Sequence, residues 1–165
     1  MKTITSLAAA ITLGLISASA SAAAFKPSVI FDMGGKFDKS FNQAAYTGAE
    51  AFKAETGVSY GEFEITNEAQ REQAMLRMAQ RGFSPIVAVG FQQAPIVEKV
   101  AKQFPKTQFV IIDAVVDLPN VRSVVFKEHE GSFLVGALAV MKSESDKVGF
   151  IGGMLIFGYI FYNRA

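Results

Sequence analysis

The sequence has no cysteine and a single histidine. Without a thiol there is no disulfide, no thiolate nucleophile and no sulfur ligand for a metal. One histidine supplies neither a zinc site nor the partner of a Cys/His pair. His129, next to Glu130, reads as an exposed or helix-start residue. No metal and no cofactor are expected. Net charge is also missing: 16 basic against 15 acidic residues leave +1. The two signs are mixed rather than blocked, which reads as a solvated surface and gives nucleic acid no electrostatic footprint. Two catalytic fingerprints are absent as well. Gly34-Gly35-Lys36 lacks the spacing of a phosphate-cradling loop, and there is no Gly-x-Gly-x-x-Gly. No serine has the Gly-x-Ser-x-Gly setting of a hydrolase elbow. No catalytic constellation is left, and an enzyme is not expected.

What is present begins with an export signal. Lys2 gives a positive start, Leu7 to Ile16 a short apolar run, and Ala18-Ser19-Ala20 and Ala20-Ser21-Ala22 small-residue cleavage sites. The run is too short, with those flanks, to be a membrane span. Residues 1–23 are therefore read as a signal peptide cleaved near Ala22 or Ala23, so that the mature chain starts close to Phe25 in a bacterial periplasm. Lacking cysteine, it cannot carry a lipid on an N-terminal cysteine, and no stable membrane anchor is expected. Held by its core alone, the chain has the material for one: half of its 165 residues are apolar.

The remaining chain alternates. Ser28 to Met33, Ile86 to Val89 and Phe109 to Ile112 are continuous apolar runs suited to strands buried on both faces. Glu62 to Thr66 is a weaker strand near an edge, Val121 to Phe126 a fifth and Val148 to Ile151 a sixth. Helices are expected between them. Ser40 to Thr56 has Ser40 and Gln43 placed as a capping box, Gly57 as its stop, and Phe41, Ala44, Ala45, Gly48, Ala49 and Phe52 as its buried face. Asn67, with Gln70 three residues on, caps a helix that ends at Gly82 and buries Ala74, Met75, Met78 and Ala79. Pro95 starts a third, with Ile96, Val97, Val100, Ala101 and Phe104 inward, and Pro105 stops it. Glu128 to Met141 is a fourth. Strands alternating with helices give an α/β fold, a doubly wound parallel sheet of flavodoxin-like order 2-1-3-4-5. Leu155 to Tyr162 is nearly all apolar and aromatic without helical period, the composition of an aggregation-prone segment.

In such a sheet, ligands bind beyond the carboxyl ends of the strands. The loops after strands one, three and four bring Asp32, Asp38, Phe41, Asn42, Phe91 and Asp113 toward one place. Gly34 and Gly35 let the first loop take positive φ or pass close to a ligand. Aromatic faces with an amide and carboxylates suit a flat, polar, uncharged ligand such as a nucleobase with its sugar. Plainer roles compete. Asp38 could simply complement the helix N-terminus, Phe41 could be core, and Asp113 could cap a turn. Asn42 and Phe91 are harder to explain as structure.

The run Asp-x-Gly-Gly-x-x-Asp-x-Ser-Phe-Asn from Asp32 to Asn42 resembles the signature of the basic membrane protein family. Val89-Gly90-Phe91, Phe109 to Asp113, Glu130 to Gly136 and Lys147 to Met154 extend the resemblance over roughly residues 28 to 154. The family supplies substrate-binding components of ABC importers, and characterised members bind purine nucleosides. The resemblance implies a type I periplasmic binding protein with ligand between two α/β lobes. It implies Phe41 stacked on the base, Asn42 and Asp113 hydrogen-bonded to it, and the importer's membrane subunits as partners. On that reading residues 24–127 are the first lobe. Residues 128–165 open an incomplete second one, in a truncated copy about half the family length that is expected to be a non-functional fragment, since closure around a ligand needs both lobes. The rival function is a ligand-sensing receptor or signalling module of the same fold.

Overall fold

A computed structural model describes residues 25–150. The expected signal peptide and apolar tail lie outside them. The described residues fall into two compact units, one up to Ser123 and one from Val124.

The first unit is built on a five-stranded sheet of order β2-β1-β3-β4-β5, the order expected. The strands are β1 (Ser28–Phe31), β2 (Gly61–Glu64), β3 (Ile86–Val89), β4 (Phe109–Ile112) and β5 (Val121–Val124). The β1–β2, β1–β3 and β3–β4 ladders are parallel, with Ile30 opposite Phe63 and Ala88, and Ala88 opposite Ile111. Helices α1 (Phe41–Thr56), α2 (Gln70–Gln80) and α3 (Ala94–Gln103) connect them.

The two faces of the sheet follow from strand alternation. Ile30, Ile86, Ala88, Phe109 and Ile111 form the larger core with Ala74, Met75, Met78 and Ala79 of α2 and Val97, Val100 and Ala101 of α3. The expected inner faces of α2 and α3 are thus the observed ones. On the opposite face Val29, Phe31 and Val89 pack with Ala45, Tyr46 and Ala49 of α1. Beside α1 that face stays partly open, and Val87 and Ile112 line an apolar groove of about 250 Å³ with Ala49 and Phe52.

Several expectations need correction. Helix α1 is rotated from its expected phase: Asn42 is buried, Ala45, Ala49 and Phe52 are half-buried, and Phe41, Ala44 and Gly48 are exposed. The cause is Asn42, whose amide binds the backbone at the end of β1 and turns its own stripe inward. The capping box does not form, since Ser40 makes no side-chain cap bond. Helix α2 starts at Gln70, not behind an Asn67 cap, and Gln70 Oε1 accepts instead from the Thr66 N–H and hydroxyl. β5 ends at Val124.

The second unit carries α4 (Glu128–Lys142), close to the expected range, with no buried residue. Phe133, Leu134, Val135 and Met141 are all exposed. Residues 148–150 are irregular rather than a sixth strand, and Ile151 lies outside the described residues. Among the described residues no helix is long and apolar enough to cross a membrane.

Candidate functional site

The site is assembled where β1, β3 and β4 end side by side. β1 passes directly into Asp32, which receives contacts from three directions. Asn42, only 2% exposed, accepts from the Asp32 N–H through Oδ1 at 3.0 Å and donates from Nδ2 to the Asp32 carbonyl at 3.2 Å. The Asp32 carboxylate accepts from the Met33 N–H at 2.8 Å. It also accepts from Arg71 Nη2 of α2, again through Oδ1, at 2.7 Å. The remaining contact is with the loop after β3. Gly90 has φ of +104°, and a Cβ there would lie 2.8 Å from Asp32 Oδ2. That backbone region and that space both require glycine.

Asp38 occupies the N-terminus of α1. Its Oδ1 accepts from the Ser40 and Gln43 N–H groups at 2.8 and 3.1 Å, and its Oδ2 from the Asn42 N–H at 3.0 Å. Those donors would otherwise be orphans of the first helical turn. Burial alone would raise the Asp38 pKa. The backbone N–H groups of Asn42, Gln43 and Ser40 outweigh it and hold the group below its ordinary 3.8. Removing this cap in Asp38→Ala is expected to cost about 0.5–2 kcal/mol in a urea titration, nearer the low end because the residue is half-exposed. A depressed folded pKa means that the contribution is complete above the unfolded value and is lost as pH falls through the folded one. The difference between wild type and variant should therefore narrow as the solution is acidified through and below the ordinary carboxylate range. A difference as large there as at about pH 7 would place the effect elsewhere.

The loop between β1 and α1 is fixed from below by β2. Glu64 Oε2 accepts from the Lys36 N–H at 2.9 Å. Gly34 and Gly35 take the positive φ expected of them.

The loop after β3 is a single 3-10 turn, Phe91–Gln93, leading into α3. Gln93 is fully buried and donates from Nε2 to the carbonyls of Ile30 and Val89 at 3.0 and 2.8 Å. It stitches the ends of β1 and β3 together. Gln92 Oε1 accepts from Arg71 Nη2. Immediately before these two anchored amides Phe91 is left 38% exposed, and Phe41 has the same exposure at the start of α1. Asp113 follows β4 with φ of +73°, half-buried. Aspartate tolerates the left-handed region better than most residues, but the conformation still carries strain of the kind found at functional sites.

Of the six expected site residues, Phe41 and Phe91 are thus presented at the carboxyl edge, and Asp113 lies half-buried at the end of β4. Asn42, Asp32 and Asp38 are engaged in holding the loops. Arg71 is the residue that sequence reasoning missed. Its signal was positional: it extends the buried stripe Ala74, Met75, Met78 back by one turn. Among the described residues no cluster of His, Cys, Asp and Glu could hold a metal.

Compared with known proteins, residues 25–160 match the family described as ABC transporter substrate-binding protein, PnrA-like. The CD4+ T-cell-stimulating antigen of Listeria monocytogenes is 34% identical over an alignment of 138 residues that covers 79% of this chain and 38% of that protein. The ABC transporter nucleoside-binding protein BmpA of Lactococcus lactis is 32% identical over an alignment of 134 residues that covers 78% of this chain and 38% of BmpA. An ABC transporter solute-binding protein from Aeropyrum pernix K1 superposes with a TM-score of 0.67 at 34% identity, over 70% of this chain and 32% of that one. The chain thus spans under two fifths of the length of these relatives. The Bmp match covers most of this chain, which therefore belongs to the PnrA-like family of ABC transporter substrate-binding proteins, binding components of transport rather than enzymes.

Proposed function

We propose that residues 25–123 form one wall of a purine-nucleoside site in a periplasmic substrate-binding protein serving an ABC importer. The observation that carries this reading is the placement of two half-exposed rings, Phe41 and Phe91, after the neighbouring strands β1 and β3. An aromatic ring offers a base a π-face. Asp113, at the end of the next strand, offers a carboxylate to ring N–H or ribose hydroxyl groups. The nucleoside-binding name of the Lactococcus relative agrees with this chemistry. Asn42 and Asp38 serve the site mainly by shaping the loop that holds Phe41.

The test is titration of the purified chain with adenosine, guanosine and inosine by calorimetry. Phe41→Ala is expected to weaken binding by about 1–3 kcal/mol, the loss of one aromatic–base stack. Because Phe41 is partly exposed and outside both core clusters, the same variant should unfold at nearly the wild-type urea concentration. Unchanged affinity would remove Phe41 from the site. Binding of a free sugar or amino acid in preference to all three nucleosides would overturn the ligand class.

A further inference from the structure

We propose that the Arg71–Asp32 ion pair is the spacer that sets the two aromatic rings of the site relative to each other. Arg71 is on this reading a positioning residue for ligand binding. The proposal rests on the reading of Phe41 and Phe91 as ligand-contacting rings. Both rings are mounted on residues that touch this pair. Asn42, the neighbour of Phe41, is clamped to the backbone of Asp32 on both its N–H and its carbonyl. Phe91 lies between Gly90, whose Cα faces Asp32 Oδ2, and Gln92, whose Oε1 accepts from the same Arg71 nitrogen that binds Asp32.

The pair is built to be rigid. The Arg71 side chain is 8% exposed and that of Asp32 17%. Its Nη2 bridges Asp32 and Gln92, so one planar group spans the loops after β1 and β3. Arg71 itself comes from α2, whose Ala74, Met75, Met78 and Ala79 are locked in the main core. The loops are therefore referenced to the core through a charged strut, in addition to the Glu64 and Gln93 anchors. Lysine cannot replace it, because a single ammonium lacks the planar fork that holds two acceptors in a fixed geometry. A residue with a side chain at position 90 would press on the same carboxylate from the opposite side.

The experiment places 4-fluorophenylalanine singly at Phe41, at Phe91 and, as a core control, at Phe109 of the full chain, and reads 19F spectra. Arg71→Lys is expected to shift or broaden the signals at 41 and 91 together while the signal at 109 stays in place. Adenosine affinity should fall roughly tenfold. Gly90→Ala keeps both charges and should move the same two signals, and it decides the matter should Arg71→Lys not fold. The proposal is overturned if only one ring signal moves or neither does, or if the 109 signal moves with them, which would make Arg71 a general stability residue. In wild type, ring signals that ignore adenosine would sink the nucleoside reading while leaving the ring-spacing result intact.

Discussion

Asp32→Ala is expected to lower the stability of the chain by about 3–5 kcal/mol, the cost of removing one partner of a buried ion pair. The size follows from what would remain. The guanidinium of Arg71 stays buried, with its Nε already lacking a hydrogen-bond partner. Its other carboxylate neighbour is Glu68, 3.9 Å from Nη1 and three-quarters exposed, too far and too hydrated to replace Asp32. The 17% exposure of Asp32 lets some water in and favours the low end of the range. The diagnostic is a double-mutant cycle. Arg71→Met with Asp32→Ala removes both charges, and an apolar replacement of a buried pair is often neutral. The double variant should thus recover much of the loss, giving a coupling of at least about 1 kcal/mol by urea titration. Additive losses would show that the two residues stabilise the fold independently.

The same pair shows where sequence reasoning stops. β1, β3 and β4 were legible because a parallel strand buried on both faces must be apolar at every position, and Val-Ile-Phe, Ile-Val-Ala-Val and Phe-Val-Ile-Ile have no other use. The inner faces of α2 and α3 were legible for a similar reason, since each has one apolar stripe. Helix α1 has two: Phe41, Ala44 and Gly48 lie beside Ala45, Ala49 and Phe52, and periodicity cannot choose between neighbouring stripes. The choice is made by Asn42 through hydrogen bonds to the backbone of Asp32, just past β1 and ten residues earlier, a tertiary event with no local sequence signal. The cap was misassigned for a related reason. Ser40 has the right chemistry and spacing, but the loop carries Asp38 to the same N–H groups, and an ionised carboxylate is the stronger acceptor. Arg71 was overlooked because an arginine on a helix is usually solvated; only the three-dimensional meeting of α2 with two loops makes it buried.

Asn42 separates a residue that builds a site from one that touches the ligand. Asn42→Ala is expected to destabilise the ligand-free chain by about 2–4 kcal/mol, as orphaned buried groups cost about 1–3 kcal/mol each. The Asp32 N–H loses its acceptor, and the carbonyls of Asp32 and Met33 lose the Nδ2 donor that reaches them at 3.2 and 3.5 Å. Asn42 is itself 2% exposed, so water has little access to the Asp32 N–H, whereas Met33 is 39% exposed and the Asp32 carbonyl keeps the Gly35 N–H at 3.4 Å, which favours the low end of the range. Asn42→Asp is the sharper probe. It preserves the shape and the acceptor for the Asp32 N–H, but it replaces the donor by a charge facing two carbonyl oxygens. Its loss should be comparable in size, and should shrink at low pH where the new carboxyl is protonated and can donate. The measurement is urea unfolding without ligand at about pH 7 and about pH 4. If both variants kept wild-type stability and lost only nucleoside affinity, the amide would be a ligand contact and not the brace of the β1–α1 loop. If stability falls as expected, any accompanying loss of affinity is the consequence of releasing Phe41. It should then be matched by a change in the Phe41 ring environment before any nucleoside is added.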